Sequence, residues 1–543
     1  MAAKRGSTYD YIIVGAGSAG CVLANRLTAN GRFKVLLLEA GGGDRSLWVQ
    51  MPIGYGKAFY SRRLNWMYTT EPDPGTHGRV SYWPRGKVLG GSSSINAMLY
   101  VRGQPEDYEE WAALGNPGWG WRDVLPYFIR SESHAWGASE YHGGSGPLHV
   151  ADVSSYLHPL CKSFLAGCEQ AGFPLNRDFN GPRQEGVGNY QITTHRARRV
   201  STSRAFLKPA MRRSNLRVVT HGHVTRVLLE GRRARGVEYR HRNETRTALA
   251  GREVILSAGA VNSPQLLMLS GVGPAAKLKA LGIPVVLDNP AVGNHLQDHL
   301  GMDYIYKSRK PTLNNELYPL RGKLWAGARY VLMRRGPLCL SVNQSGGFVR
   351  TRPEYPRPNM QLYFSPVSYL RKPPDKRPLM KPDPYPAFLL GISPTRPESR
   401  GHLTLRSADP LAAPEIHPNY LSADRDLEDM LDGVRLLRTL AATAALSTVI
   451  EEELVPGMAV KSREDMIEDI RRRCGTVFHP AGTCRMGPDP KQAVVDPRLK
   501  VHGVDNLRVI DASIFPTLIS GNTNAPAIMV GEKGADLILE DAR

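Results

Sequence analysis

The sequence predicts an α/β protein organised on a parallel, dinucleotide-binding sheet, and three observations carry that prediction. Tyr9 to Val14 (YDYIIV) is a short run rich in aromatic and β-branched residues that stops at a glycine, as buried parallel strands do. Gly15-Ala16-Gly17-Ser18-Ala19-Gly20 follows, and then a helix-compatible stretch, Cys21 to Leu27. Lys34 to Leu38 (KVLLL) reads as a second buried strand that ends on Glu39, an acid 19 residues after the last glycine. A GxGxxG between a strand and a helix, with an acid closing the second strand, is the dinucleotide fingerprint in its full setting.

Each part of that unit has a physical task. Gly15 permits the tight turn, Gly17 lets the backbone approach a pyrophosphate, and Gly20 lets the helix pack close to the strand. The free N–H groups and positive end of the helix then face the anion. Glu39 can accept hydrogen bonds from a ribose diol and would repel a 2′-phosphate, which disfavours NADP. Gly186-Val187-Gly188 and Gly271-Val272-Gly273 lack the third glycine and the strand–helix setting, so one dinucleotide is expected rather than a nicotinamide and a flavin together.

Further along, Pro-, Gly- and Trp-rich loops are expected over Pro117 to His149. Alternating strands follow at Leu216 to Leu229 and Gly236 to Tyr239, and a buried strand at Glu253 to Leu256. Tyr304 to Pro397 reads as loop-rich, with a Pro/Lys segment at Arg371 to Pro386. His402 to Leu405 reads as a strand and Asp424 to Ala442 as an amphipathic helix. Leu507 to Asp511 and Ala525 to Glu540 close the chain as strand and helix.

Composition narrows the function classes. In 543 residues, 41% hydrophobic and 22% charged, there is ample apolar material for a core, which excludes a disordered or collagen-like chain. No run of about 18 apolar residues exists to cross a membrane. Seventy Lys+Arg against 50 Asp+Glu leave a formal charge of +20. The basic residues fall in short runs, at Arg196 to Arg199, Arg232 to Arg235, Arg371 to Lys381 and Arg471 to Arg473, none interleaved with aromatics as nucleic-acid readers require. They read as a solvated basic surface, with docking to a lipid or an acidic redox partner as the alternative. Six cysteines without a CxxC suit a reducing compartment and no metal. The polar start, Met1 to Tyr9, leaves no place for a signal peptide, so the cytoplasm is expected.

Four further stretches complete the picture. They are Gly86-Lys87-Val88-Leu89-Gly90-Gly91-Ser92-Ser93-Ser94-Ile95-Asn96; Gly259 to Gly273, beginning GAVNSP; Val292 to His299, containing Gln297-Asp298-His299; and the pair His479 to Gly487 (HPAGTCRMG) with Gly521 to Pro526 (GNTNAP). With the N-terminal unit they span residues 10 to 540, and in order and content they resemble the glucose-methanol-choline (GMC) oxidoreductases, on the choline dehydrogenase-like branch of alcohol dehydrogenases and oxidases.

The resemblance implies a discontinuous Rossmann-like FAD-binding domain, residues 1–155, 201–300 and 471–543. Into it is inserted an α+β substrate domain on an antiparallel sheet, residues 156–200 and 301–470. It places at the FAD Gly15, Gly17, Ser18, Ala19, Gly20, Glu39 and Ala40, then Trp66, Val88, Gly90, Gly91, Asn96, Ala97 and Met98. Val224, Ala258, Asp511, Ala512, Asn522 and Thr523 complete that set. Asp511 is the residue such enzymes direct at the ribityl chain. Ile95 stands where some relatives carry the histidine that bonds FAD covalently, so non-covalent FAD is expected.

His479 matches the family's base and Asn522 its partner, in a pocket that Phe478 and Trp66 help to wall. The implied reaction is oxidation of an alcohol to an aldehyde: His479 takes the hydroxyl proton, hydride passes to flavin N5, and oxygen or a quinone-type carrier accepts the electrons. Taken alone, Asn522 before a helix also reads as an N-cap. His295 and His299 stand at i, i+4, a metal spacing only if on a helix and with a third ligand, and none is at hand. Choline-oxidising relatives carry a glutamate where this chain has Gly301, with Asp303 two residues on, so an uncharged primary aliphatic or aromatic alcohol is expected. Choline dehydrogenation and a hydroxynitrile lyase-like activity are the alternatives.

Overall fold

The computed structural model describes residues 7–369 and 381–543. In chain order its principal strands are β1 (Thr8–Val14), β2 (Val35–Glu39), β3 (Gly186–Asn189), β4 (Leu216–Thr220), β5 (Gly222–Glu230), β6 (Arg233–His241) and β7 (Glu244–Leu256). They continue as β8 (Leu300–Ser308), β9 (Ser345–Val349), β10 (Met360–Ser365), β11 (Ala387–Pro394), β12 (Ile450–Val455), β13 (Gly475–Thr476) and β14 (Leu507–Val509). The principal helices are α1 (Ser18–Leu27), α2 (Trp121–Ser131), α3 (Gly259–Leu269), α4 (Leu313–Leu317), α5 (Leu320–Ala328), α6 (Asp424–Ala442) and α7 (Asn524–Asp541).

Among the described residues the strands form two large sheets. The first runs β4-β2-β1-β7-β6-β5, with β14 also paired to β7. Its β4, β2, β1, β7 and β14 are parallel, and β5 and β6 return antiparallel. Residues Tyr11, Ile12, Ile13 and Val14 are all buried, as are all five residues of β2. That follows from helices covering both faces of a parallel sheet, and it is why these strands read as continuous apolar runs. In register, Val14 stands between Leu38 and Leu256, so three strands end together and open one crevice at their carboxyl ends.

The second sheet, β12-β8-β11-β10-β9-β3, is antiparallel throughout, and β13 pairs with β8. The fold is thus the expected one: a Rossmann-like α/β layer assembled from distant parts of the chain, joined to an α+β layer on an antiparallel sheet. The second sheet also takes Gly475 and Thr476, from beyond residue 470, and these two residues lead straight to His479.

Two regions differ from expectation. Pro117 to His149 is not all loop: α2 occupies Trp121–Ser131 despite Pro126 within it. Asp123 accepts the Gly120 N–H at its start, Val124 and Phe128 are buried one turn apart, and Arg130 pairs with Glu532 and Asp536 of α7. Tertiary packing outweighs the backbone bond that proline forfeits. The stretch read as loop-rich, Tyr304 to Pro397, carries four strands of the second sheet and α4–α5. Its prolines and glycines mask short strands. The Pro/Lys segment expected there lies outside the described residues as far as 380. Among the described residues no helix is long and apolar enough to cross a membrane.

Candidate active site

A cavity of about 940 Å³ opens at the carboxyl ends of β1, β2 and β7 and runs on to the second sheet. At one end it is lined by Gly15, Gly17, Ser18, Ala19, Glu39, Ala40, Val224 and Ala258. The glycines separate cleanly by what surrounds them. A Cβ on Gly15 would lie 2.4 Å from the Ser257 carbonyl oxygen, and φ there is +100°. On Gly20 it would lie 1.9 Å from the Gly15 oxygen, so Gly20 serves helix–strand packing and does not line the cavity. On Gly17 the nearest such atom is 3.8 Å away, so nothing in the protein demands glycine there. A ligand approaching the backbone does demand it. No side chain caps the first turn of α1, which leaves its N–H groups for an anion. These residues fit a dinucleotide.

Glu39 faces the same space with one oxygen accepting the Ala16 N–H (2.9 Å) and the other the Gly41 N–H (2.8 Å). Burial pushes its carboxyl up to about 7 against those two bonds. Trp66 lines this cavity too, stacked on Tyr68 and edge-on to His223, the neighbour of Val224. Asp511, also lining, accepts the Gly259 N–H (2.8 Å), the Ser263 hydroxyl (2.6 Å) and the Ser513 N–H (2.8 Å). It therefore ties β14 to the start of α3.

Gly91, Asn96, Ala97 and Met98 line the same cavity, as do Ala512 and Thr523. Val88 and Gly90 stand one layer back. Val88 is packed with Val49, Leu64 and Ile95, and the Gly90 N–H donates to the Ala16 oxygen (2.7 Å), joining this loop to the glycine turn. The Asn96 carbonyl oxygen accepts from Arg199 (2.6 Å). Arg199 is 1% exposed, so it is no part of the solvated basic surface on which its run was placed. Its guanidinium also donates to the Val49 and Ser93 carbonyls. Burial pulls its pKa down to about 9.

His479 and Asn522 meet at the far end, where the Asn522 amide nitrogen lies 3.1 Å from His479 Nε2. Thr523, not Asn522, occupies the N-cap position of α7, which leaves the Asn522 carboxamide free of capping. His479 Nδ1 lies 2.9 Å from His299 Nδ1, and His299 Nε2 lies 2.9 Å from the Thr395 carbonyl oxygen. These contacts fix the protons. A carbonyl only accepts, so His299 Nε2 carries its hydrogen, and burial, holding His299 down at about 4, keeps the ring neutral. His299 Nδ1 is then an acceptor, His479 Nδ1 must donate to it, and His479 Nε2 is left without a proton, accepting from the Asn522 amide. On the other side Gln361 donates to the Asn522 carbonyl oxygen (3.3 Å), which turns the amide N–H groups to His479.

The segment Gln297-Asp298-His299 proves to be the mount for this pair. The Gln297 carbonyl oxygen of its side chain accepts the Leu518 N–H (2.9 Å), and Asp298 accepts the His479 N–H (2.7 Å), the Thr476 hydroxyl (2.5 Å) and the Tyr420 hydroxyl (2.6 Å). Burial raises the Asp298 carboxyl to about 6. His295, at φ +60° and outside any helix, takes no part with His299. Phe478 lines the cavity at φ +70°, a left-handed conformation held by the Arg85 guanidinium on its carbonyl (2.7 Å) and the Thr476 hydroxyl on its N–H (2.7 Å). Burial, then His299 and Arg85, hold the pKa of His479 well below 6.5, so it stands as a neutral base at pH 7.

Sequence reasoning does not assign Arg85, Arg199, Asp298, His299 or Gln361 a role here. For Asp298 and His299 the signal lies in the Gln297-Asp298-His299 segment itself, whereas Gln361 and Arg199 carry none.

The arrangement matches known proteins over nearly its whole length. The family model described as GMC oxidoreductase matches residues 9–301 in its N-terminal part and 397–531 in its C-terminal part. An alcohol dehydrogenase [acceptor] of Pseudomonas putida is 46% identical over 536 residues, covering 98% of this chain and 96% of its own. The mitochondrial choline dehydrogenase of Homo sapiens is 46% identical over 543 residues, covering 98% and 89%. Formate oxidase of Aspergillus oryzae RIB40, described with its FAD, superposes with a TM-score of 0.91 at 28% identity over 99% of each chain. The chain belongs to the GMC oxidoreductase family.

Proposed function

We propose that this protein binds one FAD without a covalent link and oxidises an uncharged primary alcohol, aliphatic or aromatic, to the aldehyde. The observation that carries this reading is the His479–Asn522 pair: a neutral imidazole whose Nε2 bears no proton and accepts from an amide nitrogen 3.1 Å away, at the end of a dinucleotide-shaped cavity. Family membership and the FAD named for its structural neighbour support the cofactor. The residues to hold it are the Gly15–Gly20 turn, Glu39 and Ala40, Trp66 and Val224, the Gly90–Met98 loop, Ala258, and Asp511, Ala512 and Thr523. In this reading residues 1–155, 201–300 and 471–543 form the cofactor domain. Ile95 is buried among aliphatic side chains and offers no nucleophile for attachment.

In this reading the alcohol hydroxyl displaces the Asn522 N–H from His479 Nε2, donating to that nitrogen while its oxygen accepts from the released amide. His479 accepts the hydroxyl proton at Nε2, and its Nδ1–H, held by His299, keeps the resulting imidazolium oriented. Asn522 donates to the oxygen as its negative charge grows. What bound FAD supplies is a two-electron acceptor for the hydride that leaves the alcohol carbon. Asp298 and Gln297 hold the His479 loop against the Leu518 turn, so the base is preorganised.

The substrate end supports a neutral alcohol. Tyr55, Phe59 and Phe478 give it apolar walls, and of the arginines that line the cavity Arg472 and Arg473 are taken up by Glu468 and Asp469, so no charged group dominates its lining. A second reading, choline, is favoured by Asp303, a carboxylate that lines the cavity two residues beyond Gly301, and by the choline dehydrogenase relative. Oxygen or a quinone-type carrier reoxidises the cofactor. The test is anaerobic titration of the yellow protein with benzyl alcohol, hexanol and choline. Bleaching by the neutral alcohols and not by choline supports the reading, choline bleaching of equal efficiency replaces its substrate, and absence of bleaching by all three refutes it.

A further inference from the structure

One surface segment has its polarity inverted. α5 (Leu320–Ala328) runs on into a wider turn, Arg329–Met333. Its inner face, Ala326 and Tyr330, is buried. Its outer face carries Leu320 (72% exposed), Leu324 (67%), Trp325 (61%), Val331 (63%), Leu332 (81%) and Met333 (55%). Single exposed apolar residues need no explanation, but six within fourteen consecutive positions form a strip that a helix in water would turn inwards.

The charge around the strip is as one-sided as its polarity. Between residues 309 and 335 there are seven basic side chains, among them Arg321, Lys323, Arg334 and Arg335, and a single acid, Glu316. Glu316 is already paired with Arg329 at 3.2 Å. An apolar strip flanked by cations is the pattern of a helix lying in a bilayer interface, its aliphatic and Trp side chains among the acyl chains and its Lys and Arg at the phosphates. A second copy of the chain is the poorer occupant, because a two-fold contact would bring two such basic strips face to face.

The strip also lies in a telling place. Leu313, Leu317 and Ala326 pack on Tyr55, Val342 and Phe59, and those three line the cavity at the end where His479 stands. We propose that residues 309–335 dock the protein on membranes containing anionic lipid, with the outer face of α5 and the following turn in the interface and the apolar end of the cavity directly beneath. This does not rest on the substrate reading, since it concerns the outside of the segment.

The test is co-sedimentation of the full-length, FAD-loaded protein with vesicles of phosphatidylcholine, with or without phosphatidylglycerol. Binding is expected to the anionic vesicles, to weaken with added salt, and to fall at least about tenfold in Leu320→Ser/Leu324→Ser/Leu332→Ser. Because a triple variant can misfold, the unaltered protein is also mixed with vesicles whose acyl chains are brominated. Tryptophan quenching should appear and should be largely lost in Trp325→Phe, with dye-coupled alcohol oxidation unchanged. No binding to anionic vesicles, quenching that persists in Trp325→Phe, or a dimer that the triple variant splits into monomers overturns the proposal.

Discussion

His299 gives the mechanism its sharpest exposure, because it touches neither substrate nor cofactor and acts only by deciding which nitrogen of His479 holds the proton. Replacing it with leucine removes two hydrogen bonds of 2.9 Å and leaves the buried His479 N–H without an acceptor. An unpaired buried donor costs about 1–3 kcal/mol, so His479 will tend to move its proton to Nε2, where it can no longer act as the base. Restoring the productive tautomer then takes back that energy, a factor of about 5 to 150 in rate. His299→Asn keeps an acceptor oxygen near the Nδ1 position and should recover to within about fivefold of the parent. Anaerobic rapid mixing with a neutral alcohol, following the loss of flavin absorbance, reads the step directly. A second readout separates positioning from mere damage. Burial holds the pKa of His479 well below 6.5 with or without His299, so the loss in the leucine variant is one of tautomer and not of charge, and it should be the same size at pH 7 and at pH 9. Bleaching of the leucine variant at the parent rate, or no advantage of asparagine over leucine, would refute the reasoning.

Two further expectations follow from the packing. Gly20→Ala would push a methyl to 1.9 Å from the Gly15 carbonyl oxygen, so the glycine turn must open. The purified variant should retain less flavin per protein and lose about 1–3 kcal/mol of stability, whereas full occupancy would show the close approach to be dispensable. His142 lies 2.7 Å from Asp178 and 3.1 Å from Glu132. Burial opposes its charge, but the hydrogen bonds to Asp178 and Glu132 prevail and push it up to about 9. A folded pKa above the unfolded one gives stability that is fully present below pH 6.5 and is lost as pH rises through 9. The gap in unfolding free energy between the parent and His142→Gln should therefore shrink by about 2–3 kcal/mol from pH 6 to 10, and urea titrations showing a constant gap would contradict it.

What could be read in the chain and what could not follow from how far each interaction reaches. The βαβ unit was legible because strands buried on both faces are apolar without interruption, and because the spacing of Gly15, Gly17 and Gly20 is local. α6 was legible in full, from Asp424 to Ala442, since nothing but periodicity shapes it. The second sheet was not. β9 reads Ser345-Gly346-Gly347-Phe348-Val349. Its glycines are there because the Tyr190 ring would lie 2.5 Å from a methyl on Gly346, and the Val187 backbone 2.8 Å from one on Gly347. The proposed base and its proposed amide partner were legible only through family resemblance. The tautomer relay was out of reach, for His299 and His479 stand 180 residues apart. Arg199 was hidden for another reason: in a run of four positions holding three arginines, nothing local distinguishes the buried one from its solvated neighbours.

The central claim is that His479 Nε2 takes the alcohol proton, and the measurement that meets it most directly is flavin bleaching by a neutral alcohol in His479→Ala, under anaerobic rapid mixing at neutral pH. With FAD retained at the parent level, the account predicts a rate lower by about 100-fold or more. Reduction at the parent rate would contradict it.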